Sequence, residues 1–465
     1  MYLSITDAAA ALRSGETTSV ALTEAGYAVA DAHDEALGVY LRRFDETALA
    51  AAAKADEELA AGVDKGPLHG IPLGIKDIIA TDEGETTAQS LVLDREWGTM
   101  GDAPVVARLR AAGAVITGKL TTMEYAIGIP DVEKPFPVPR NPWNTDHYPG
   151  GSSSGTGNGV AAGMFLGGLG TDTGGSIRYP ATSCGITGLK QTFGRVPKFG
   201  CVPLGYSYDH IGPMARTAAD CAAMLAVIAG HDARDACSVD RPVDDYVSGL
   251  TGSLEGMRIG VDPLLAASEL TVPELEEVLA AATAELTAAG ATVVPVELPL
   301  YKELTTATMV GMAAESYAYH RGDLQSRWAD YGSGTRMAVS IGALVSGGDH
   351  VQAQRVRRAG QKMVAELFAD VDLIVTPTSA CGAPEIEKLT FDAIIGALHT
   401  PYWNALGNPA MSVPMGYTRD GLPLGLQIVG RPFDEAAVLA AGHAYQLRTD
   451  WHTHVPAMVS DLLAA

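Results

Sequence analysis

Positive charge is what this chain has least of: 32 lysines and arginines stand against 55 aspartates and glutamates, a formal charge of −23 at pH 7. A surface of that sign repels polyanions, which argues against nucleic-acid binding by the chain alone, and no nucleic-acid partner is expected. The acidic residues form no polyacidic run and read as a solvated surface. Cysteine is scarce as well. Cys184, Cys201, Cys221, Cys237 and Cys381 are odd in number and widely spaced, with no CxxC or Cys/His cluster. That usage fits a reducing compartment and excludes structural zinc. No run reaches the ~18 apolar residues of a membrane span. The opening MYLSITDAAAALRSGETTS lacks both a basic n-region and a continuous apolar h-region. The expectation is a cytoplasmic protein with no membrane contact.

What is present is material for a large core: 47% of 465 residues are hydrophobic. Ser4 to Asp7 offers helix caps before an Ala/Leu run, and 47–61 is alanine-rich, so residues 1–62 read as a helical apron. Leu68 to Ile79 is an apolar, strand-like run that holds a lysine and an aspartate, Lys76 and Asp77. A salt bridge between those neighbours is the plain structural explanation. Asp102-Ala103-Pro104 caps a helix to Ala112, followed by a strand from Ala114 to Thr117. Five prolines lie between Pro130 and Pro142, which predicts an extended loop where a lid or pocket wall would stand. A helix over 217–228 follows. Strands are expected at 257–261, 291–296, 372–377, 411–414 and 424–429, with helices at 272–289, 349–368 and from Asp434. The alternation predicts one α/β domain around a central mixed sheet.

The stretch from Gly150 to Thr192 carries the chemistry. Two serine-bearing glycine turns, Gly150 to Gly155 and Gly174-Gly175-Ser176, flank an apolar segment, 160–169, expected to be one buried element. Several familiar machines do not fit. Gly151-Ser152-Ser153-Ser154-Gly155 has the spacing of a hydrolase elbow, but Asn144 to Pro149 makes a poor preceding strand. Gly113 to Lys119 nearly spells a phosphate loop, yet Leu120 replaces the hydroxyl that would meet magnesium. None of the eleven histidines sits in a triad context. Lysine is the remaining base, provided burial lowers its pKa. Glycines at 174 and 175 let successive N–H groups face one oxyanion. With no metal-ligand spacing in the chain, neither metal nor cofactor is expected.

These turns and the lysine strand resemble the amidase signature family, whose members cleave carboxamides with a Ser-cisSer-Lys triad. The similar blocks are Gly70-Ile71-Pro72 through Asp77, Ala112 through Lys119, Asn141 to Asn144, Pro149 to Lys190, Asp209 through Arg216, Thr376-Pro377-Thr378, and Gly407 through Gln427. They run from about residue 70 to residue 427, with the signature core at about 68–216 of a single domain spanning 1–465. The resemblance implies a twisted mixed sheet covered by helices on both faces. It makes Ser176 the nucleophile, Ser152 the bridging serine on a cis peptide, and Lys76 the base. The amides of Thr173, Gly174, Gly175 and Ser176 become the oxyanion hole, with Ser153, Asp172 and Arg178 in support. For Asp172 and Arg178 a structural ion pair and a direct catalytic part stay open. Ser154, Ile78 and Gln191 depart from the usual pattern without removing a catalytic atom, and the proline-rich loop departs further.

The reading that follows is a stand-alone amidase acting on an amide, anilide, hydrazide or carbamate, with a small amide-type substrate and water as partners. A homodimer fits the family. The alternative is the glutaminase subunit of a tRNA-dependent amidotransferase. Such subunits carry an acidic, Met-Tyr-containing element where this chain has the apolar Phe391 to Asn404. Met123, Tyr125, Ile127 and Ile129, which alternate, and Tyr402 and Trp403 are the pocket candidates.

Overall fold

The structure, a computed structural model, describes residues 3–99 and 101–460. Residues 1 and 2 of the expected apron, residue 100 and residues 461–465 lie outside the described part. The apron is helices α1 (Ile5–Ser14), α2 (Ser19–Leu37) and α3 (Asp45–Ala60), with the first strand, β1 (Tyr40–Arg43), between the last two. Ser4 caps α1 as expected, its side chain accepting from the Asp7 N–H. Then come β2 (Pro72–Lys76), α4 (Pro104–Ala111), β3 (Val115–Leu120), α5 (Ser154–Ala162), β4 (Gly167–Asp172), α6 (Arg178–Cys184), β5 (Thr187–Lys190), β6 (His210–Ala215) and α7 (Ala218–Ile228). The second half supplies β7 (Arg258–Val261), α8 (Leu275–Ala288), β8 (Thr292–Pro295), α9 (Tyr301–Ser326), α10 (Ser333–Ser340), α11 (Gly347–Leu367) and β9 (Leu373–Pro377). It closes with α12 (Phe391–Ala397), α13 (Pro401–Leu406), β10 (Ala410–Tyr417), β11 (Pro423–Val429) and α14 (Glu435–Gln446).

The strands form one mixed sheet in the order β1-β3-β2-β4-β6-β5-β10-β11-β9-β7-β8. Period-two alternation assigns its two faces. Leu373 and Val375 of β9, Met411 and Val413 of β10, and Leu426 and Ile428 of β11 point to the core shared with α7, α8 and α14. Ile374, Ala410 and Val429, one residue out of phase, point to the core shared with α9, α11 and α13. This is the single α/β domain with helices on both faces that the sequence predicts.

Two departures matter. The apolar segment 160–169 is not one element: it splits at Gly163, which ends α5 in a left-handed conformation, and resumes as β4. The serine turns therefore belong to different elements, one leading into α5 and the other leaving β4. The long helix α9 carries no periodic signal in the sequence, because its buried positions include Ala307, Thr308, Gly311, Ser316 and His320 rather than a repeating large-aliphatic face.

Strands β2, β3 and β4 run parallel to one another. Their carboxyl ends deliver Lys76, the segment after Leu120 and the turn after Asp172 to one edge of the sheet, where open α/β sheets bind ligands.

Candidate active site

Lys76 ends β2, and both it and the next residue, Asp77, are fully buried. They do not pair. The Asp77 carboxylate lies 3.3 Å from Lys119 Nζ and accepts from the Thr87 N–H at 3.0 Å. Lys119 Nζ also donates to Ile79 O at 2.6 Å and Thr86 Oγ1 at 2.8 Å. The lysine that ends the phosphate-loop lookalike is thus the counter-ion of Asp77. Lys76 has no carboxylate partner among the described residues: Nζ donates to Ser152 Oγ and to Thr171 Oγ1, both at 2.7 Å. Burial, only partly opposed by the more distant charges of Cys201, Asp172 and Asp209, pulls its pKa down to about 7.

The Gly151–Ser152 peptide is cis. Ser153 ties this turn to β4, its Oγ accepting from the Thr171 N–H at 3.1 Å and donating to Thr171 O at 3.2 Å. The Ser153 N–H also reaches Ser176 O at 3.2 Å. Ser152 Oγ takes its bond from Lys76 and makes none to Ser176. The approach of α5 to the sheet depends on Gly168, where a Cβ would stand 2.7 Å from Gly74 O and 2.9 Å from Thr156 Cγ2.

Behind Ser176 a buried polar network is built around Arg178 and Asp172. Arg178 Nε and Nη2 donate to Asp172 at 3.0 and 2.9 Å. Nη1 donates to Thr400 O and Gln427 Oε1, and Nη2 also to Asn404 Oδ1. These bonds use all five guanidinium N–H groups, so Arg178 has none left for a substrate. Burial alone would raise the Asp172 pKa, but the charge and bonds of Arg178 outweigh it and hold the carboxyl well below the usual range. Asp172 accepts in turn from the N–H groups of Gly175 at 2.9 Å and Ile177 at 3.2 Å. Of the four amides expected in an oxyanion hole, Gly175's is therefore engaged elsewhere. Those of Thr173, Gly174 and Ser176 make no bond among the described residues.

A narrow cavity of about 40 Å³ opens over Ser176. Met123 and Ile127 line it, together with Leu204, Met312 and, from the segment before α13, Phe391, Ile394, Ile395 and Leu398. Tyr125, Tyr402 and Trp403 do not. Tyr125 takes a left-handed conformation and packs on His320 and Tyr331. Tyr402 and Trp403 lie on α13 in the core against β9 to β11. The apparent period-two run breaks because 124–126 is a short 3-10 turn, not a strand. Ile129 packs beside Met123 without reaching the cavity, and the proline-rich loop, 130–142, contributes none of its walls. A second cavity of about 210 Å³ shares Ala126 and Leu204 with the first and reaches Thr171 and Thr173 on the Lys76 side. Sequence reasoning missed Thr171, Asn404 and Thr400. Thr171 stands inside the Pro149 to Lys190 block, beside Asp172, and Asn404 lies three residues before the Gly407 block; Thr400 has no such signal near it.

The chain belongs to the Amidase family, whose pattern it matches over residues 21–439. It is an enzyme that acts on carbon–nitrogen bonds, hydrolysing amides. It is 42% identical to a glutamyl-tRNA(Gln) amidotransferase subunit of Chloroflexus aggregans, over 98% of each chain. Among solved structures it superposes on a chain of the vestigial complex described in connection with the origins of an s-triazine catabolic enzyme. That match has a TM-score of 0.88 and 31% identity over 96% of this chain and 98% of the other. Native peptide amidase of Stenotrophomonas maltophilia gives a TM-score of 0.85 and 31% identity over 96% of each chain.

These relatives correct one expectation. The absence of a nucleic-acid partner does not stand, because the curated relatives carry glutamyl-tRNA(Gln) in the name of their reaction. Net charge speaks only to whether this surface by itself attracts phosphates. One member of a complex can serve a tRNA-dependent reaction without holding the tRNA. No helix among the described residues is long and apolar enough to cross a membrane.

Proposed function

We propose that this chain cleaves a carboxamide through an acyl-enzyme on Ser176, with Lys76 as base acting through Ser152. The observation that carries the reading is a buried lysine, with a pKa of about 7 and no carboxylate partner, bonded to the serine of a cis peptide. Neutral Lys76 accepts the Ser152 proton as Ser152 accepts that of Ser176, and Ser176 Oγ bonds to the carbonyl carbon. The open Ser152–Ser176 link closes when substrate fills the cavity, as catalytic hydrogen bonds commonly do. The N–H groups of Thr173, Gly174 and Ser176 receive the oxyanion. On collapse the C–N bond breaks, and the proton held by Lys76 returns through Ser152 to the leaving nitrogen. The second cavity on the Lys76 side gives that amine room. Water then attacks the ester by the same relay, releasing the acid and free Ser176. Ser176→Ala tests the scheme: it should abolish turnover and leave the fold intact, and retained hydrolysis would move the nucleophile elsewhere.

For the substrate, the curated relatives favour the amidotransferase reading. In it the amide is that of glutamine, the product ammonia serves glutamyl-tRNA(Gln), and the chain works as the glutaminase beside its partner subunits in the cytoplasm, where its five free cysteines stay reduced. A second reading rests on the cavity. None of its lining residues is charged, whereas the α-ammonium and α-carboxylate of glutamine need compensating partners when desolvated. That wall suits an apolar acyl group handled by the chain alone. The purified chain is assayed with glutamine and with hexanamide, before and after adding the partner subunits of a relative. Glutamine turnover that appears with the partners supports the first reading. Hexanamide turnover by the chain alone, with glutamine inert throughout, supports the second.

A further inference from the structure

The turn before Ser176 contains a Gly-Gly peptide, and both of its polar ends are held from outside the cavity. Its N–H, that of Gly175, goes to Asp172 Oδ1 at 2.9 Å. Its carbonyl, that of Gly174, accepts from Thr400 Oγ1 at 2.7 Å. With no Cβ on either flank, this peptide is the one in the turn most ready to flip. A flip would swing Gly174 O toward the site where an oxyanion must form and disturb the N–H groups of Gly174 and Ser176 on either side. Asp172 is itself braced by Arg178 and Asn404, so the N–H end is doubly secured. The carbonyl end hangs on a single hydroxyl.

That hydroxyl is well placed to act as a latch. Thr400 is fully buried, and its own carbonyl accepts from Arg178 Nη1 at 3.1 Å. Gly175 sits at φ +134°, and a Cβ there would come 2.0 Å from Thr400 Oγ1, so hydroxyl and turn are in direct contact. Two residues upstream, Leu398 is a wall of the cavity over Ser176. One short segment thus touches the acyl cavity at Leu398 and the turn at Thr400.

We infer that Thr400 is a positioning residue for the oxyanion-binding turn: by donating to Gly174 O it keeps the Gly174 and Ser176 N–H groups aimed at the reacting carbonyl. It touches no reacting atom. The inference rests on the acyl-enzyme reading above, and the test separates the two.

The test uses Thr400→Val, which keeps the branched shape and loses the hydroxyl, Thr400→Ala, which removes any steric conflict, and Thr400→Ser, which keeps the hydroxyl. Two readouts are taken on the full chain: the rate at which a fluorophosphonate phosphonylates Ser176, and kcat and KM for whichever of hexanamide and glutamine the wild type turns over. A fluorophosphonate oxygen occupies the oxyanion position, so its labelling rate reads the turn whatever the natural substrate. Val and Ala variants should label about 10- to 100-fold more slowly, with kcat falling alongside and KM moving less than about twofold. Thr400→Ser should return both rates to within about threefold of wild type. The alkaline rise in turnover should keep its midpoint, because Lys76 is untouched. Wild-type labelling in both Val and Ala variants, or a Ser variant as slow as they are, overturns the inference. Labelling that persists in Ser176→Ala removes the acyl-enzyme reading itself, independently of Thr400.

Discussion

Which lysine takes the carboxylate decides the chemistry at the scale of single residues. Asp77 sits beside Lys76 in sequence but pairs with Lys119 across the sheet, so Lys76 stays buried and unpaired and its pKa drops to about 7. Amide turnover should therefore rise with pH through about 7 as Lys76 loses its proton. In Lys76→Ala that limb should vanish. The same variant should lose amide cleavage about 100-fold more than cleavage of an ester with the same acyl group, because an alkoxide leaves without the returned proton. Equal losses on both substrates would make Lys76 structural. Asp77→Ala addresses the other half of the arrangement. It strands a buried Lys119 and should cost ~3–5 kcal/mol of stability, measured by urea unfolding. The candidacy of Lys76 and the two serines was legible from residue types and glycine spacing. That Lys119 would neutralise Asp77 was not, because the pairing joins the end of β2 to β3 across the sheet.

At the scale of elements, the site depends on a helix made almost entirely of small residues. Helix α5, SGTGNGVAA, is buried along its whole length, which brings the Ser152–Ser153 turn within bonding distance of Thr171 on β4. Gly168→Val would push Thr156 and the Gly74 carbonyl from that contact. It should destabilise the fold by ~1–3 kcal/mol and lower kcat more than it raises KM, as the two turns part. Wild-type kcat with reduced stability would mean that α5 packing and serine geometry are independent. The serine turns were recognisable in the sequence because glycine and hydroxyls cluster there. Their separation onto α5 and β4 was not, because a run such as 160–169 suits a buried helix or a buried strand equally well.

For the whole molecule, burying lysines in neutral form links stability to pH. Lys76 and Lys190 both have pKa values of about 7 when folded, against an ordinary value of 10.5, with burial as the first cause. Between those limits the unfolded chain binds protons at both sites that the folded chain does not, so their contribution to stability rises as pH climbs from about 7 toward 10.5. Below about 7 both states are protonated and this dependence levels off. Lys76→Met should raise Tm at neutral pH and flatten the slope between those limits, with the gap to wild type closing at the alkaline end. A Met variant whose Tm follows wild type in parallel across that range would mean that Lys76 is charged in the folded chain.

The sequence by itself determined the family, the mixed α/β architecture, the lysine and serines offered to the chemistry, and most strand positions, because glycine turns, apolar strand runs and helix caps are local signals carried by neighbouring residues. Tertiary structure alone decided which residues line the cavity. Tyr125, Tyr402 and Trp403 look like pocket residues by type and turn into the core, while Leu204, Met312 and Leu398, with no distinguishing local pattern, converge on Ser176 from three distant segments. It also decided that Arg178 spends every donor on the framework and that Thr400 meets Gly174 across more than two hundred residues of chain. Side-chain direction and long-range convergence follow from how the elements pack, and no window of sequence contains both partners.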